Sequence, residues 1–141
     1  MKQMIQRMRE EKGGFTLAEL LIVVAIVGVL VAIAIPVFTA QLDKANAATD
    51  EANARSGYAS AQATANVDSL KTGTLTLMTD GTAEDAAKSS KTPYVTKGDS
   101  SKLGTAVDIS GQSPSWTPGS TITYVIGSDG NTTITPVAGS K

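Results

Sequence analysis

A chain of 141 residues with no cysteine and no histidine holds no disulfide and no Cys/His zinc site, and it excludes catalysis by either side chain. Net charge is −1, and 41% of the residues are hydrophobic, but the apolar weight lies before residue 39. The remainder is rich in Thr, Ser, Ala and Gly; at about 100 residues it suffices for one small domain, and with so few aromatics its core is small.

Residues 1–12 carry Lys2, Arg7, Arg9 and Lys12. Basic residues ahead of an apolar run hold the N-terminus in the cytoplasm and send the rest of the chain outward. From Leu20 to Phe38 there are 19 residues and no charge. At 1.5 Å per residue this helix spans roughly 28 Å, close to the hydrocarbon thickness of a bilayer. The run outlasts a secretory h-region of about 7–15 residues, and no small-residue cleavage site closes it. A plain signal anchor fits its length but leaves Gly13-Gly14 and the acid Glu19 at its cytoplasmic mouth unexplained. Within the run, Gly28 reflects close helix packing. Pro36 removes one hydrogen bond and pushes Ile35 from α geometry, so a kink or local melting is expected there.

Beyond Phe38 the chain is Ala-rich, with Asp43, Lys44, Asp50, Glu51 and Arg55 interspersed. The apolar spacing Phe38, Leu42, Ala45, Ala48, Ala52 follows the helical rule. One helix is therefore expected from Phe15 to near residue 68, membrane-spanning in its first part and amphipathic in its second. Ser56-Gly57 is its weak spot, at a cost of about 1 kcal/mol for the glycine.

Past Lys71 the pattern turns to strands. Thr74–Met78 alternates as a half-buried strand does, and Asp80-Gly81 is a turn. Thr82–Ala87 suits a short helix with Thr82 as N-cap and acids in the first turn. Residues 88–102, with Lys88, Lys91, Lys97, Lys102, Pro93 and Gly98, read as a loop with a short strand at Tyr94-Val95. Val107–Ile109 is a further candidate strand. Thr121–Ile126 and Asn131–Thr135, joined by Gly127-Ser128-Asp129-Gly130, read as a hairpin. One face would carry Ile122, Tyr124, Ile126 and Ile134 against the helix, and Trp116 reads as a core or rim plug. The fold class is thus α+β: a long N-terminal helix packed on a small antiparallel sheet. The divisions are 1–14, 15–38, 39–70 and a β-rich domain at 71–141.

At Gly14-Phe15-Thr16-Leu17-Ala18-Glu19-Leu20-Leu21, after a basic leader and before a long apolar run, the chain resembles a type IV pilin precursor. The resemblance covers roughly residues 9–38, including the proline at Pro36. It implies a leader peptide, 1–14, cut between Gly14 and Phe15 by a membrane prepilin peptidase on the cytoplasmic side. It also implies N-methylation of the Phe15 amine by the same enzyme, using S-adenosylmethionine. Gly13 duplicates the glycine, but cutting after Gly14 makes Glu19 the fifth mature residue, the family position. Ala18 stands where a larger aliphatic residue is commoner. Cleavage leaves eight basic and eleven acidic side chains, a net charge of −3, which disfavours a general nucleic-acid surface.

The motif also has a physical reason. Gly13-Gly14 offers a protease an unobstructed backbone, and cleavage creates an ammonium at Phe15. In a bundle of apolar helices an unpaired Glu19 carboxylate costs several kcal/mol. The opposite charge available there is the Phe15 ammonium of a neighbouring subunit, so the pair would set register; an intramolecular Phe15–Glu19 contact is the rival arrangement.

The implied partners are further copies of the chain in a filament, the peptidase, an inner-membrane assembly platform, minor pilins, and the membrane before assembly. The implied path runs from single-pass precursor in the cytoplasmic membrane to extracellular pilus, with adhesion, motility or DNA uptake as its uses. The lack of cysteine points to a bacterium without an oxidising periplasm, hence Gram-positive.

Other readings are a pseudopilin of a type II secretion system, a competence pilus subunit, and a plain signal-anchored extracellular protein. Asp80, Asp99, Asp108 and Asp129 are too scattered for a calcium loop. The four loop lysines form a DNA patch only if the fold gathers them, and Tyr94 alone among them offers stacking. No nucleophile–base set can be assembled, so no enzyme, cofactor or metal is expected.

Overall fold

The computed structural model describes residues 2–3, 16–67 and 72–139. Helix α1 runs Leu17–Val67. Next come strands β1 Gly73–Leu77, β2 Ala83–Glu84, β3 Thr121–Ile126 and β4 Thr132–Val137, with a short 3₁₀ helix at Ser100–Leu103 between β2 and β3. The strands form one antiparallel sheet in the order β2-β1-β3-β4. One long helix packed on a small antiparallel sheet is the α+β class expected from the sequence. Two compact units are recognised, Met1–Thr39 and Ala40–Lys141.

In the first unit, Leu20–Phe38 is helical and its large apolar side chains are exposed. By length and composition this helix is able to cross a membrane. It stays α-helical through Pro36, and the Thr39 hydroxyl bonds the Ile35 carbonyl at 3.0 Å.

In the second unit, the core lies between α1 and one sheet face. Leu75 and Leu77 from β1, Ile122, Tyr124 and Ile126 from β3 and Ile134 from β4 are buried there with Val107, Ile109 and Trp116. Each such aliphatic side chain contributes about 1.5–3 kcal/mol by leaving water. The expected hairpin face is the buried one, because period-2 alternation sends every second residue inward.

The apolar spacing noted in the sequence does not mark the face that α1 buries. Phe38, Leu42, Ala45, Ala48 and Ala52 are exposed, while Ala47, Asp50, Ala54, Gly57 and Ala61 are buried. The reason is size. A stripe of small residues at spacings of 3 and 4 lets the sheet approach closely, and large side chains there would hold it off. Gly57 is the extreme case: a Cβ there would meet the Tyr124 hydroxyl and come within 2.7 Å of Leu77 Cδ1. Through that gap the Tyr124 hydroxyl donates to the Ala54 carbonyl at 2.8 Å.

Three further elements are corrected. Thr82–Ala87 is not a helix: Ala83–Glu84 pairs with β1 as β2, and a turn comes after it. Asp80 Oδ1 accepts from Thr82 N at 3.0 Å and from Thr82 Oγ1 at 2.6 Å, so the Thr82 hydroxyl is engaged as a donor and is not the expected cap. Tyr94-Val95 and Val107–Ile109 make only isolated bridges, Val95 with Thr121 and Ile109 with Gln112. Val107 and Ile109 fill the core without forming a strand. Trp116 is a core residue, 3% exposed, held by Ser100: its N donates to Ser100 Oγ at 3.0 Å, and its carbonyl accepts from Ser100 N at 3.1 Å.

Candidate functional site

Of the processing and assembly residues, Gly14 and Phe15 lie outside the described residues. Glu19 and Pro36 lie on α1. Glu19 closes a reciprocal cap at the first turn: Thr16 N donates to Glu19 Oε2 at 2.8 Å, Thr16 Oγ1 donates to the same oxygen at 3.1 Å, and Glu19 N donates to Thr16 Oγ1 at 3.3 Å. Thr16-Leu17-Ala18-Glu19 is thus a capping box, which satisfies two orphan donors of the helix terminus. The signal was present in the sequence as Thr-x-x-Glu ahead of an apolar run. Both capping bonds to the carboxylate use Oε2; Oε1 has no hydrogen bond to a described residue.

The second polar site was not anticipated. Asp50 is wholly buried on α1. Its Oδ1 accepts from the Tyr94 hydroxyl at 2.6 Å and from Lys97 N at 3.2 Å; its Oδ2 accepts from Lys97 N at 3.0 Å and Gly98 N at 2.7 Å. A buried carboxylate needs partners, and here successive backbone N–H groups supply them. Gly98 is required because a Cβ would run into the helix backbone at Asn46 and Ala47. Burial, and then the bond to Asp50, raises the Tyr94 phenol above its ordinary value. No short sequence pattern announces this site, since its halves lie 44 to 48 residues apart.

The lysines expected as a patch are not equivalent. Lys91 Nζ lies against Asp80 Oδ2 at 2.7 Å and against Glu84 Oε1, and Lys88 Nζ lies 3.5 Å from Asp85. Two of the four are therefore locally neutralised. Among the described residues no group of three His, Cys, Asp or Glu is placed to hold a metal. Two clefts, of about 350 and 380 Å³, are lined mainly by Ser, Thr and Pro near Ser100 and Trp116.

Residues 11–35 match the family model of the prokaryotic N-terminal methylation motif. A relative is the type IV narrow pilus major component PilA5 of Thermus thermophilus. The two are 55% identical over 49 residues, 33% of this chain and 42% of that protein, so less than half of the relative's length is spanned. Its source lends no support to the Gram-positive reading. No solved structure matches the chain. A capped helix start and the charge-free helical run from Leu20 fall together inside the matched motif, and this segment is similar to the N-terminus of type IV pilin precursors.

Proposed function

We propose that the chain is a structural, non-enzymatic subunit of a type IV pilus. In this reading it is held in the cytoplasmic membrane as a precursor, cut after Gly14, N-methylated at Phe15 and assembled through α1 into an extracellular filament. The observation that carries this reading is the methylation motif at residues 11–35 running into an exposed apolar helix. The peptidase and an assembly platform with minor pilins are the implied machinery. The β-rich domain would form the outer coat. Pro36 would be where α1 bends or melts on assembly.

The capping box refines the role of Glu19. In the single subunit one carboxylate oxygen completes the helix terminus, which aims the side chain. The other oxygen is then available for the Phe15 ammonium of a neighbour. In the low dielectric of a helix bundle that attraction is strong and position-dependent, so it penalises wrong offsets between subunits. The pairing of Lys88 and Lys91 with acids weighs against DNA as a partner of this face.

The test is Glu19→Ala in cells that assemble the protein, with filament yield read by electron microscopy. Yield is expected to fall at least tenfold while the precursor is still cut. Normal yield would sink the register role. Mass spectrometry of filaments should give a chain beginning at Phe15 with one added methyl group; a chain beginning at Met1 would overturn the processing scheme.

A further inference from the structure

An asparagine side chain takes a sugar on its nitrogen where a Ser or Thr hydroxyl stands two residues on, no proline lies between, and the segment sits on the surface of an exported chain. Of the four asparagines, only Asn131 is followed two places on by such a hydroxyl, that of Thr133, and Thr132 lies between. The other three, Asn46, Asn53 and Asn66, lie on α1.

The fold presents both groups. Asn131 ends the five-residue connection between β3 and β4. Asn131 and Thr133 are exposed, and Thr132 between them is buried, as the alternation of a strand requires. The backbone is fixed there: Gly127 N donates to the Asn131 carbonyl at 2.8 Å, and Gly130 N to the Gly127 carbonyl at 3.0 Å. Asp129 holds the carboxamide in place. Its Oδ1 accepts from Asn131 N at 3.1 Å, and its Oδ2 accepts from Asn131 Nδ2 at 2.7 Å. Gly127 leaves room for that carboxylate, since a Cβ there would come within 2.6 Å of Asp129 Oδ1. Neither strand of the hairpin carries a charged residue, and Val125 and Val137 are exposed on it. A bulky, hydrated glycan at the tip would supply the solubility that charged side chains give elsewhere.

We propose that Asn131 is an N-glycosylation site, loaded after export by a membrane transferase from a lipid-linked sugar pyrophosphate. This rests on the outward placement of the β-rich domain proposed above. The Nδ2 lone pair bonds the anomeric carbon of the sugar. The bond from that carbon to the pyrophosphate oxygen breaks with its electron pair, the lipid pyrophosphate leaves, and one Nδ2 proton passes to solvent. Thr133 is a positioning residue, whose hydroxyl the transferase reads beside the acceptor.

The test is mass spectrometry of filaments shorn from cells that make the protein, with fragmentation that places any addition on a side chain. Wild type is expected to carry at least one sugar on Asn131. Asn131→Gln and Thr133→Val should each lower occupancy of the peptide at least tenfold, whereas Thr133→Ser, which keeps the hydroxyl, should retain it. Thr133→Val preserves the β-branched shape that suits a strand, so the comparison is made on assembled protein. A bare Asn131 in shorn filaments, an addition on the Thr132 or Thr133 hydroxyl in its place, full occupancy in Thr133→Val, or loss in Thr133→Ser would each overturn the site and leave the filament reading standing. A chain that never reaches the cell surface would overturn the filament reading and the site with it.

Discussion

Asp50 shows how one side chain can decide the course of a distant loop. Its carboxylate receives the backbone N–H groups of Lys97 and Gly98 and the hydroxyl of Tyr94. Asp50→Ala would leave these donors facing an apolar gap, at a cost of about 3 kcal/mol in unfolding free energy. A lower urea midpoint with an unchanged slope is the expected result; a change below about 0.5 kcal/mol would match an ordinary surface substitution and sink the assignment. Lys91 acts at a second residue-scale site. Its bond and that from Thr82 hold Asp80 well below the usual carboxylate range, and Lys91 and Ser89 lower Glu84 likewise. Groups depressed in the fold contribute stability above their unfolded values, near about 4, and lose it as pH falls toward the depressed ones. Thermal melts of wild type and Lys91→Met should therefore differ at pH 7 and converge on acidification. A gap that stays constant to pH 2 would refute the linkage. Thr16→Ala separates the two duties of Glu19: it removes the cap, worth about 1 kcal/mol of helix stability, and leaves the carboxylate. Filaments are expected from this variant, read by the same microscopy as for Glu19→Ala.

At the scale of elements, α1 sets helix propensity against fit. Gly57 costs about 1 kcal/mol of propensity relative to alanine. An added methyl, however, would displace Tyr124 and Leu77, and overpacking a tight core costs about 1–3 kcal/mol. Fit wins, so Gly57→Ala should lower stability despite being the better helix former; a stabilised variant in urea denaturation would show that the sheet gives way easily. The hairpin β3–β4 shows local and tertiary preferences in agreement. Its β-branched alternation, its five-residue connection and its buried face all demand the same register, Tyr124 opposite Ile134.

For the whole molecule, the proposed filament depends on a partner created by processing. In that scheme the Phe15 ammonium would exist only after the cut, and the basic leader would hold the uncut chain in the membrane. Gly14→Val would place a β-branched side chain at the bond to be cleaved. The expected outcome is precursor in the membrane fraction, no filaments, and an intact mass beginning at Met1. Filaments of normal length from this variant would show that cleavage is not the gate.

The N-terminal segment was legible from residues alone, because its signals are local: a run of basic charge, two glycines, an acid and nineteen uncharged residues in sequence. The β3–β4 hairpin was legible for the same reason. The face α1 buries was not, since Ala47, Ala54, Gly57 and Ala61 carry almost no hydrophobic contrast, and it was the space the sheet needed that selected them. Thr82–Ala87 had the composition of a helix start, but Asp80 took the Thr82 hydroxyl, and Ala83 donates its amide to Ser60 Oγ at 3.1 Å while pairing with Leu77. Asp50 with Gly98, and Gln112 with Thr132 and Ile134, join residues 20 to 48 positions apart. Such pairs are brought together by chain topology, and a hydrogen bond between them forms only once the core has placed both ends.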